Sequence, residues 1–129
     1  MSALSDTMEN TILNAMLRNT AYTGPATVYI GLNTASFADD GTGGTEISGN
    51  GYARQSMAFD AASSGVSDNT SVVDFPTATG SWGTISHWGL FTASTSGTLM
   101  IHGAFSASKA IASGDILRIA AGELDITAA

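Results

Sequence analysis

Cysteine is absent from the 129 residues, which excludes a disulfide framework and thiolate zinc sites and fits a protein assembled in a reducing cytoplasm. Basic residues are nearly as scarce: Arg18, Arg54, Lys109 and Arg118 stand against eleven acids, for a formal charge of -7. Neutralising phosphates takes clustered Lys and Arg, and these four are scattered, so nucleic acid is excluded as a partner. Charged residues make up 12% of the chain, whereas an ordinary soluble domain carries about 25%. A neutral surface of small side chains follows, one that meets a neighbour without a large desolvation cost. Self-association or docking into a larger assembly is one consequence, and a monomer with a hydroxyl-rich surface is the other. The N-terminus has neither a basic segment nor a long apolar run. No signal peptide, membrane span or membrane insertion is therefore expected.

Motifs that carry chemistry are missing as well. There is no G-x-S-x-G, no H-E-x-x-H, no P-loop, and no G-x-G-x-x-G opening a helix. The glycine-rich stretch from Gly41 to Gly51 has no lysine for a phosphate. Asp39, Asp40 and Glu46 could ligate calcium through oxygen, but their spacing is not that of an EF-hand, and Asp-Asp-Gly is an ordinary turn sequence. No catalytic residue, cofactor or metal site is assigned, and the expectation is a protein that is not an enzyme.

What the chain does contain is one amphipathic helix and a series of short strands. Leu4, Met8, Ile12 and Met16 recur every fourth residue, with Leu13 and Leu17 widening the stripe. Asp6 followed by Glu9 resembles a capping box, and Arg18-Asn19 fits a C-terminal end, so the spacing predicts a helix from about Ser5 to Arg18. Leu4, Met8, Ile12 and Met16 are the candidate interface: the stripe either covers the domain's own sheet or lies in a groove of a neighbouring subunit.

Strands are expected at Thr27–Asn33, half buried by alternation, at Tyr52–Phe59 and at Ser71–Phe75, the last ending at Pro76. Phe37 to Gly51 is expected to be a long surface loop. Arg54, inside a strand, needs a carboxylate or carbonyl, and an acid of that loop is the expected partner. In the last third, a four-residue connection Ala93–Ser96 would set Leu90 opposite Leu99, Trp88 opposite Ile101 and His87 opposite His102. Two imidazoles are too few for a stable metal site. As a pair they would be a pH-sensitive contact, or else ordinary polar residues on a strand face. Trp82, Trp88 and Tyr52 could stack on sugar rings or fill the core. Lys109–Ile111, Ile116–Ala120 and Leu124–Thr127 complete the strands.

The fold expected from this order is mainly β: an antiparallel β-sandwich or flattened barrel with one N-terminal amphipathic α-helix, in a single domain spanning residues 1–129. The segments ENTILNAMLRNTAYTGPATVYIGLNTA, TEISGNGYARQSMAF, SWGTISHWGLFTASTSGTLMIHGAFSASKAI and SGDILRIAAGELDIT resemble, in the same order, the small tail-fibre-type structural proteins of tailed bacteriophages and prophages. The resemblance implies a non-enzymatic virion component, made in the host cytoplasm and built in as repeated copies, a homo-oligomer with a trimer among the expected states. A tail fibre, tail-tip or adaptor subunit in contact with other phage structural proteins is the leading expectation. A cement protein decorating the capsid and a module binding host-surface carbohydrate, with a receptor as its partner, are the alternatives.

Overall fold

A computed structural model describes residues 2–127, and it is mainly β with one helix. The N-terminal segment first forms a strand, β1 (Ser2–Leu4), and then the helix α1 (Asp6–Leu17). β2 (Val28–Asn33), β3 (Gln55–Met57), β6 (Gly83–Phe91) and β7 (Leu99–Ile111) join β1 in a five-stranded antiparallel sheet of order β1-β7-β6-β2-β3. Two short antiparallel ribbons accompany it: β4 (Val66–Asp68) with β9 (Asp125–Thr127), and β5 (Val73–Asp74) with β8 (Arg118–Ile119). The sheet does not close on itself, because β1 and β3 stand at its two edges, so the flattened-barrel alternative is set aside.

One core joins these parts. Ile30, Leu32, Ile85, Trp88 and Leu90 of the main sheet belong to the same buried cluster as Val73 and Ile119 of the ribbons and Phe75, Leu117 and Leu124 next to them in sequence. The helix contributes Met8 to it. β2 departs from simple alternation, since Ile30, Gly31, Leu32 and Asn33 are all buried. Its far half is paired on both edges, by β6 and by the segment at Glu46–Ile47, while Ile30 and Leu32 point into the core and the Glu46, Tyr52 and Phe91 side chains lie over Gly31 on the other face.

The hairpin β6–β7 differs from its expected register. Phe91 pairs with Leu99, Leu90 with Ile101 and Trp88 with Gly103. Five residues, not four, connect Thr92 to Thr98, and Ser96 and Gly97 both take positive φ there. An irregularity between Leu90 and Phe91 then shifts the pairing by one more residue. Further along, Ile85 pairs with Lys109 and His87 with Ala104, so the four residues Phe105–Ser108 stand opposite Ser86 alone as an enlarged bulge. That bulge is why Lys109–Ile111 continues β7 and is not a separate strand.

Other boundaries contract. Tyr52–Phe59 shrinks to β3 and Ser71–Phe75 to β5, while β4, at Val66–Asp68, has only one apolar residue and gave no periodic signal. The segment 37–51 is not a plain surface loop: Ile47 is buried, Phe37 bridges Gly43, and Glu46 bridges Asn33.

Candidate functional site

The candidate interface stripe divides between two roles. Leu4 lies in β1 opposite Ile101 and is not on the helix. Ser5 is the N-cap: its side chain accepts from the Met8 amide, its hydroxyl donates to the Leu99 carbonyl at 2.7 Å, and it fixes the start of α1 against β7. Met8 is buried in the chain's own core, and Ile12 is half buried on the wall of the groove beside the helix. Met16 points outward at 68% exposure, together with Leu13 at 49%, Leu17 at 74% and Tyr22 at 45%. Among the described residues these are four of the six large apolar side chains that are exposed, Val72 and Ile116 being the others. Beside the helix runs an apolar groove of about 270 Å³, lined by Leu4, Met8, Ile12, Tyr22, Phe59 and Ile126 among others.

A second arrangement is polar and inward. Arg54 grips the Glu46 carboxylate with two donors, Nε to Oε2 and Nη2 to Oε1, each at 2.8 Å. Its Nη1 donates to the carbonyls of Ala93 and Ser96, at 3.0 and 2.8 Å, and its guanidinium lies 3.6 Å from the centre of the Phe91 ring. The expected partner in the preceding loop is thus found, and the same side chain also ties down the β6–β7 connection. Tyr52 completes the cluster: its hydroxyl donates to Glu46 Oε2 at 2.6 Å and accepts from the Leu32 amide at 3.0 Å. Burial, reinforced by the Glu46 hydrogen bond, pushes the Tyr52 phenol far up, so it stays a proton donor. Gly31 makes room for this. A Cβ there would come within 2.7 Å of Glu46 Oε2 and 3.2 Å of the Tyr52 hydroxyl.

The histidines are not cross-strand partners. His87 stands opposite Ala104 and His102 opposite Gly89, because of the longer connection and the irregularity that follows it. Each ring has its own neighbour. His87 Nδ1 lies 2.7 Å from the Ser86 hydroxyl, and His102 Nε2 lies 3.0 Å from Asp39 Oδ1. The latter contact, with Phe37 edge-on to the His102 ring, holds the 37–43 segment over the sheet.

The three acids considered for calcium are separated by their bonds. Asp39 faces His102, Glu46 is taken by Arg54 and Tyr52, and Asp40 accepts from the amide and hydroxyl of Thr42, which lower its pKa. Among the described residues no group of three or more His, Asp or Glu is placed to hold a metal ion. Trp82 and Trp88 are buried, and Trp82 donates its indole N–H to the Asn50 carbonyl at 2.9 Å, while Tyr52 stacks on Phe75. These rings fill the core and present no open face to a sugar.

One buried residue went unnoticed in the sequence. Asn69 donates to the Ser71 and Ala120 carbonyls, both at 2.9 Å, and accepts from the Leu124 amide at 2.9 Å. It locks the turn before β5 to the turn before β9. An Asn within Asp-Asn-Thr-Ser reads as an ordinary turn residue, and nothing local marks it as buried.

The chain matches the family described as Podophage GP4 fiber I protein gp80 over residues 3–127. No curated protein sequence matches it.

Proposed function

Because the chain belongs to the Podophage GP4 fiber I protein gp80 family and is a phage structural protein, we propose that it is a small subunit of the tail end of the virion, a tail fibre, tail-tip or adaptor piece that acts by contact and not by turnover. The observation that carries this reading is the match of nearly the whole chain to a fibre family, joined to the way its polar groups are arranged. Its best-built polar cluster, Glu46–Tyr52–Arg54, answers its own donors and acceptors and leaves no group aimed at a substrate.

Contact would run through the outward half of α1, at Leu13, Met16 and Leu17 with Tyr22, and its occupant is a second copy of this chain. Charge bears on where two such copies would meet. Copies that each carry -7 repel one another through their charged surfaces, so they meet most cheaply where the surface is uncharged and apolar. Leu13, Met16, Leu17 and Tyr22 supply most of the exposed large apolar side chains among the described residues, and the one charge among residues 13–22, Arg18, is opposite in sign to the net charge of the chain.

Mass spectrometry of purified particles, with the copies counted, tests the reading. A few copies to some tens per particle support the tail position. Hundreds of copies would replace it with capsid decoration, and absence from the particle would end the virion assignment.

A further inference from the structure

The ribbon β4–β9 carries like charges face to face. Asp68 of β4 is the register partner of Asp125 of β9, in a pairing only three residues long. A third carboxylate is fixed beside them: Asp60 Oδ1 accepts from the Asp68 amide at 3.0 Å and from the Ser67 hydroxyl at 3.3 Å. Directly opposed like charges weaken an antiparallel pair. No basic group relieves them, for among the described residues Arg54 and Arg118 pair elsewhere, with Glu46 and Asp74, and neither Arg18 nor Lys109 forms an ion pair.

Among the described residues, the groups packed around this site add no compensating charge. β9 brings Asp125, the segment before β4 brings Asp60, and β1 brings only the uncharged Ser2, whose hydroxyl accepts from the Thr127 amide at 3.3 Å. Yet the strand matters to the apolar surface, since Ile126 lies between Asp125 and Thr127 and lines the groove beside α1.

We propose that β9 is a proton-controlled strap: with Asp68 and Asp125 both ionised it is loosely held, and when the two carboxyls share a proton it closes on β4 and seats Ile126 in the groove. A carboxyl that shares a proton with its neighbour donates one hydrogen bond where two anions would only repel. The direction of titration agrees, because the hydrogen bond to Asp125 raises Asp68 above the ordinary value of 3.8, with the charges of Asp125 and Asp60 acting the same way. Opening the strap uncovers the wall of an apolar groove that adjoins the exposed face of α1. Acidity thereby acts on how much apolar surface this end of the molecule offers.

Amide hydrogen exchange of Ile126 and Thr127, corrected for the pH dependence of the chemical rate and referred to core amides of β6, tests this at about pH 7 and about pH 4. The expected result is severalfold greater protection of both amides at the lower pH in the wild-type chain. D68N and D125N should each show the high protection at both pH values, since either removes the repulsion. Equal wild-type protection at the two pH values would overturn the proposal. So would a D68N chain that exchanges like wild type at neutral pH, or an effect of D68N that D125N does not share.

Discussion

Around Arg54 the polar atoms are answered from within the chain, whereas along the second half of α1 the apolar side chains face outward unanswered. In the first region a guanidinium, a carboxylate and a phenol that would each be costly to bury alone satisfy one another and two backbone carbonyls besides. In the second, Met16 and Leu17 are more than two-thirds exposed although the same helix buries Met8. Polar groups that are fully paired hold a fold and offer little to a ligand. Apolar groups left open have no use to the isolated domain, and they are what a protein partner can cover.

The largest effect is expected from breaking the polar cluster. Arg54→Ala leaves Glu46 half buried without its cation and frees the Ala93 and Ser96 carbonyls, so urea unfolding should show a loss of about 3–5 kcal/mol. Arg54→Lys should recover only part of this, because an ammonium cannot span both carboxylate oxygens and two carbonyls while lying flat on Phe91. A change below about 1 kcal/mol for Arg54→Ala would mean the cluster is ornamental. Asn69→Ala comes next. It removes three hydrogen bonds at a buried site and should cost about 2–3 kcal/mol in the same measurement.

The other side of the comparison predicts the reverse. The double variant Leu13→Glu with Leu17→Glu should change stability by no more than about 1 kcal/mol, since Leu17 is largely and Leu13 half exposed. Sedimentation equilibrium should nonetheless show self-association weakened by at least roughly tenfold. Unfolding of this variant would place the two residues in the core, and unchanged association would remove the outward face of α1 from the assembly.

The smallest effect is a matter of pH. Asp68 binds its proton more tightly in the folded state than in the unfolded one, so acidification through the range just above 3.8 adds stability at this site, and rising pH takes it away. Asp68→Asn should therefore raise the melting temperature slightly near neutral pH and lose that advantage in acid. A variant that melts lower than wild type at neutral pH would show that the aspartate stabilises the ribbon.

Much of this architecture was legible in the residues. The fourfold spacing of Met8, Ile12 and Met16 marked the helix, and Arg54, read inside a strand, called for a carboxylate or a carbonyl, which Glu46 and the Ala93 and Ser96 carbonyls supply from a position just before β3. What escaped depended on contacts distant in sequence. Leu4 fits the helical stripe by spacing but is drawn into a strand by pairing with β7, 97 positions away at Ile101. The hairpin register missed by two residues, because the connection is one residue longer than expected and Met100, which looks like one more strand residue, is the extra residue of an irregularity. With it went the facing histidines. A spacing rule can say which residues share a face, and here it could not say which half of α1 would be covered: the buried Met8 and the exposed Met16 are equivalent in sequence.

We propose that this chain works by being covered, at the apolar half of α1, by another copy of itself within the virion. A cryo-electron microscopy map of the purified particle that resolves this subunit tests it most directly. In that map Leu13, Met16 and Leu17 of one copy should lie against a second copy, out of contact with water. A map in which those three side chains face solvent in every copy would contradict it.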